Sequence, residues 1–447
     1  NLFVGSAGAS DGSTGRLVLR GGTMNVYNIF MPYTTNANST GALVLDGGTL
    51  TVNGNTIRVT NLTLGEVAGR TGSFTLVAGK TLAATTMKVG DAGAGNWTQS
   101  GGTANVANLH LGAQSGGNGI YTLTGGSLNV SGPVLDGAGT GTLQIDGGAF
   151  TPSGGVAVDQ LKVGIGNPGN HTQSGQLYTV GQLVLGNALY RLTGGTLAVG
   201  GMINEPGTGT LNLDGGTFAP SGAVNVDQLG VGIGTAGAHE QTGQDYTAGT
   251  LTLGAGTYTL SGGTLAVGSV ANGSGDGILA LNGGTLQTTG NVAADLLQIG
   301  VNAPAAHTLS AGVWTIGNLN FGIAAGGAGA LTLASGGTLD IAGHIATGAG
   351  SGALTLNGGT LAIGGNLAVS EFAVGSGTTA GHAHASKRYD VSGNVTVGDG
   401  AGGAGTYRLE GTGELNIGNR LYIGRNGGAG RFEWYHSGGL SAANGIA

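Results

Sequence analysis

Three aspartates recur at a fixed spacing. Asp159 and Asp227 lie in identical Val-Asp-Gln-Leu segments, 226 − 158 = 68 residues apart, and Asp295 follows at the same shift. Glycoside hydrolysis needs two carboxylates about 5–9.5 Å apart. If the shift spans three turns of a stacked repeat, these aspartates lie on the order of 14 Å apart at β spacing. Asp146 and Asp214 are separated in the same way, and Thr193 or Ser261 fills the slot between. No ladder of close carboxylates is expected along the repeat, so the aspartates are read as turn or cap residues and no catalytic residue is assigned.

The histidines are similarly dilute. His171, His239 and His307 follow the 68-residue shift, too far apart for one ion whose ligands must lie about 2 Å from it. Trp97-Thr98-Gln99-Ser100-Gly101 matches His171-Thr172-Gln173-Ser174-Gly175. A slot that takes Trp or His is a packing slot. His382 and His384 share one side of an extended chain and could share a metal. No third ligand is identifiable, and they read as exposed loop histidines. Gly273-Ser274-Gly275-Asp276 and Gly398-Asp399-Gly400 are isolated fragments of a calcium-binding repeat, not the repeat itself. Neither a metal nor a cofactor is expected.

These residues are positioned by a repeated sentence, Gly-Gly-Thr-Leu. It occurs at Gly47-Gly48-Thr49-Leu50, and as Gly-Thr-Leu at Gly195, Gly263, Gly284, Gly337 and Gly359. Units at fixed spacing bury their apolar faces only against their neighbours, which is a solenoid. In Leu354-Thr355-Leu356 and Thr360-Leu361-Ala362-Ile363 the alternation has period two, as in half-buried strands. Asp46, Asp146, Asp214, Asn282 and Asn357 precede Gly-Gly, a turn sequence. The expected fold is an all-β, single-stranded parallel β-helix of about 20 rungs, each about 23 residues long. Residues 1–447 read as one continuous stack, with loop insertions near 29–40 and 376–388.

Composition narrows the function classes. The 447 residues include 101 glycines and no cysteine, with only 8% charged and a net charge of −7. There is no basic run, so electrostatic binding to nucleic acid or anionic lipid is not expected. No apolar stretch reaches the roughly 18 residues of a membrane-spanning helix. The absence of cysteine is compatible with export.

The repeat Gly139-Thr140-Gly141-Thr142-Leu143-Gln144-Ile145-Asp146-Gly147-Gly148, and its counterpart from Gly350 to Leu361, resembles the autotransporter-associated β-strand repeat. The resemblance covers nearly the whole chain. It implies a right-handed parallel β-helix on the surface of, or secreted by, a Gram-negative bacterium, used as a spacer, adhesin or matrix element.

Aromatic residues test whether the surface has a docking stripe. Tyr190 and Tyr258 share parity with the core residues Leu192 and Leu260, and Tyr178 and Tyr246 take a leucine position, so all four are expected inside. In Arg431-Phe432-Glu433-Trp434-Tyr435-His436 aromatics occupy both parities, so Phe432, Trp434 or Tyr435 is expected at an exposed contact. The termini read as uncapped partial rungs. Leu2, Phe3, Val4, Leu440 and Ile446 are therefore expected to form an end-to-end interface. The expected partner is another copy, stacked head to tail into a surface fibre or matrix. The alternative is a stalk or passenger segment flanked by more of its own precursor. A polysaccharide-active enzyme is the least favoured reading.

Overall fold

A computed structural model describes residues 1–4, 12–32, 38–435 and 437–447. Among them the regular structure is strand and turn throughout, with no helix. Strand pairs between turns are parallel, apart from an isolated antiparallel bridge between Ala334 and Gly358. Period-two alternation, frequent Gly corners and few helix formers lead to this outcome. The contacts divide the chain into two units, Asn1–Asn212 with Gly216–Asp227, and Leu213–Gly215 with Gln228–Ala447. Together they hold about 19 turns of β-solenoid, close to the expected 20.

In the first unit the core consists of columns of inward side chains. Phe74, Trp97, Tyr121 and Leu143 stand in register on successive turns, all buried. Leu82, Ala104, Leu128 and Phe150 form a second column, and Leu62, Met87, Leu109 and Val134 a third. The second unit repeats the plan. Leu331, Leu354, Phe372, Val395 and Leu421 make one buried column there.

The rungs are less uniform than the sequence suggests. Thr142–Ile145 pairs with Ile120–Leu123 on one side but with Gln160–Val163 on the other. Ile278–Leu281 in the second unit switches partner in the same way, between Thr257–Leu260 and Leu296–Ile299. The Gly-Gly pairs also differ in kind. After Asp or Asn they are true turns. At Gly148, where φ is +69°, an added Cβ would lie 2.8 Å from the Gly126 carbonyl oxygen, so turn stacks on turn only through glycine. Gly101-Gly102 and Gly194-Gly195 instead lie inside the long strands Ala94–Leu111 and Ala188–Asn204. The ladder shifts register there, as at a β-bulge.

Neither expected insertion is loop throughout. Ile29 and Met31 belong to a strand, pair with Ile57 and Val59, and are fully buried. Residues 33–37 of that segment lie outside the described residues. Thr379–His384 is a strand in register with Ala404–Leu409. The polar sequence there hid the inward-facing positions Ala380, His382 and His384. No helix among the described residues is long and apolar enough to cross a membrane.

Candidate functional site

The turn aspartates act as acceptors that fasten one turn to the next. Asp146 Oδ1 accepts from Ile165 N–H at 2.8 Å, and Asp214 Oδ1 from Ile233 N–H at 2.6 Å and Gly234 N–H at 3.0 Å. Asn282 Oδ1 accepts from Asn302 N–H at 3.0 Å, and Asn357 Oδ1 from Ser376 N–H at 2.9 Å. Asp46 holds Val67 N–H at 3.2 Å and also faces Arg20 and Arg70, at 3.5 and 3.7 Å. An amide does the same job as a carboxylate, so the slot requires an oxygen acceptor rather than a charge.

The recurring aspartates of the Val-Asp-Gln-Leu series reach backward instead. Asp159, Asp227 and Asp295 each accept a backbone N–H through Oδ2, from Gly141 at 3.0 Å, Gly209 at 2.8 Å and Gly277 at 2.8 Å. A second side chain adjoins this acceptor. Asn272 Nδ2 donates to Asp295 Oδ1 at 2.9 Å. One and two blocks earlier the position of Asn272 is taken by Asn204 and Asp136. Asp136 therefore meets Asp159 carboxyl to carboxyl, and its Oδ1 is buried with no N–H donor. Burial first, then contact with Asp159, pushes the Asp136 carboxyl up to about 7. No ladder of close carboxylates runs along the repeat, but this one pair, which the expectation did not include, is brought together. The series Asp136, Asn204, Asn272 was the signal in the sequence.

The interior carries a polar brace that the sequence reading missed. Gln99, Gln173 and Gln241 are completely buried and sit at the bulges. Their Oε1 atoms accept from the hydroxyls of Tyr121, Tyr190 and Tyr258 at 2.5, 2.7 and 2.5 Å. Gln173 Nε2 donates across the bulge to the Gln176 carbonyl at 2.7 Å and onward to that of Thr196 at 2.8 Å. Gln241 repeats this with Gln244 and Thr264, at 2.5 and 2.9 Å. Buried polar atoms need such partners, and here each amide is fully used.

The histidines pack beside tyrosines. His171 Nε2 lies 2.9 Å from the Tyr178 hydroxyl and His239 Nε2 2.9 Å from that of Tyr246. His307 stacks on Trp314, ring centroids 4.8 Å apart. The tyrosines Tyr178, Tyr190, Tyr246 and Tyr258 are buried. His382 and His384 are not exposed loop residues. His382 Nε2 is 3.0 Å from the Tyr389 hydroxyl, while His384 is buried with Nδ1 2.7 Å from the Tyr407 hydroxyl. Burial pushes His171, His239, His307 and His382 down to about 4. Among the described residues no group of three or more His, Cys, Asp or Glu side chains is placed to hold a metal.

Two surfaces remain. Outside each unit runs a shallow groove floored by a polar ladder. In the first unit Asn129 Nδ2 donates to Asn105 Oδ1 at 2.9 Å, and in the second Asn416 Nδ2 donates to Asp390 Oδ1 at 2.9 Å. The other surface is the set of terminal residues. Leu2 and Phe3 pair with Ile29 and Phe30, and Val4 N–H donates to the Phe30 carbonyl at 3.3 Å. Leu440 stands opposite the buried Leu415. Phe3 is 49% exposed and Ile446 60%. Phe432 stacks on Tyr407 at 5.3 Å. Trp434 lies opposite the buried Leu409 yet is 54% exposed, and Tyr435, 47% exposed, lies under the Arg408 guanidinium. His436 lies outside the described residues. The chain matches no protein-family model, no curated protein and no solved structure.

Proposed function

We propose that the protein is an extracellular structural element of a Gram-negative bacterium, with no catalytic step of its own. Its units add to one another end to end, through a second copy or through flanking turns of a longer precursor. One observation carries the reading. Trp434 stands in the register of a core column, opposite Leu409, yet half of it faces solvent. A further turn laid on it would bury it as Tyr407 is buried beneath Phe432. Phe3 on its strand and Ile446, bridged to Leu421, present comparable apolar faces. Head-to-tail contact of such unlike faces propagates into a filament when the rotation does not close it into a ring. The surface chemistry supports a scaffold role, since charge is scarce and the carboxylates of the repeat are committed to holding the fold. The likeness to the autotransporter-associated β-strand repeat supports export and, as the second reading, a passenger segment.

Negative-stain electron microscopy over a concentration series tests this. End-to-end assemblies should appear as concentration rises and shorten in Trp434→Arg. Discrete particles of one size at the highest concentration would refute self-stacking. A natural polypeptide continuing in register would then assign the role to its flanking turns.

A further inference from the structure

We infer that Asp136 and Asp159 hold a single proton between them and act as a proton-operated latch joining two turns of the first unit. The chain supplies its own control. Two blocks on, the same two positions are an amide and a carboxylate, and Asn272 Nδ2 supplies the hydrogen to Asp295 Oδ1 at 2.9 Å. The carboxylate partner is anchored alike in all three copies, by the N–H of Gly141, Gly209 or Gly277. Asp136 has no N–H to offer. It can take the donor's place only as a protonated carboxyl, its O–H donating to Asp159. Its buried Oδ1 finds no other hydrogen.

The surroundings offer no cation to replace that proton. On the preceding turn Leu111 is the register partner of Asp136, and His110 lies beside Leu135. Lys88, next to His110 in register, is engaged with Asp91 at 3.1 Å. On the following strand Lys162 lies beside Gln144 and Val184. Among the described residues Asp159 is the one charged group acting on Asp136, and the backbone N–H groups of Gly137 and Asp159 partly offset it.

The carboxyl titrates near 7 in the fold and near 3.8 in the unfolded chain. A raised carboxyl stabilises the fold fully at low pH, and the benefit disappears as pH rises through about 7. Above that pH two carboxylates face each other and the latch opens. The Asn272 copy, whose amide donates at every pH, stays closed.

Hydrogen exchange of the intact chain, followed by mass spectrometry and corrected for intrinsic rates, reads the latch. Between about pH 6 and pH 8 segment 136–141 should lose about tenfold in protection relative to segments 204–209 and 272–277. Asp136→Asn should remove the difference, and Asn272→Asp should confer it on segment 272–277. Asparagine is native to this position in the other copies, so the first variant is expected to fold. Parallel pH profiles in all three wild-type segments would overturn the inference. So would an unchanged profile in Asp136→Asn, or failure of Asn272→Asp to acquire one.

Discussion

A buried amide is costly unless every polar atom finds a partner. At Gln173 three partners converge, the Tyr190 hydroxyl and the carbonyls of Gln176 and Thr196. Gln173→Leu has similar bulk and removes all three bonds. It should destabilise the fold by roughly 3 kcal/mol, read as a lower urea midpoint. The brace was only half legible. The match between Trp97-Thr98-Gln99 and His171-Thr172-Gln173 is plain in the chain, but attention falls on the slot that varies. The glutamine does the bonding, and nothing in its spacing reveals that the next residues bulge. The turn slot was more legible, because Asp-Gly-Gly and Asn-Gly-Gly are turn sequences in their own right. That the side chain serves the following turn and not its own depends on how the turns stack, which the local sequence does not encode.

At the scale of a strand, the period-two pattern announced which residues face inward, and His171 and His239 obey it. Burial pushes their imidazoles down to about 4, from 6.5 for a solvated histidine. The unfolded chain therefore binds protons first as pH falls. Stability is intact above about 6.5 and declines down to about 4, by about 3 kcal/mol for each histidine. Urea unfolding at pH 7 and pH 4.5 should show the decline, and His171→Phe should make it shallower by one histidine's share even if it lowers stability at both values. An equal slope in the variant would mean that this histidine does not titrate as argued. Pattern reading failed at Thr379–His384, where the alternating inward residues are Ala380, His382 and His384. A strand whose core side chains are small or polar does not look hydrophobic in sequence.

At the scale of the whole chain, the solenoid class follows from repetition, while the division into two units does not. In a stack where each turn touches only its neighbours, stability is a sum of local terms and long arrays lose all-or-none unfolding. Trp97 reports the first unit and Trp314 the second. With Trp434 replaced by Phe, variants keeping only one of these tryptophans should give different fluorescence midpoints in guanidinium, and coincident midpoints would show a single cooperative block. The cap that links turns has another consequence. Asp146 holds Ile165, and Asp214 holds Ile233 in the same manner, 233 − 165 = 68 residues later. Acceptor and donor sit 19 residues apart on adjacent turns, and the pair returns with every block. A gene that gained or lost one block by unequal crossing-over between its similar copies would still bring acceptor to donor at the seam, so the number of blocks can drift over generations without any residue having to be reinvented.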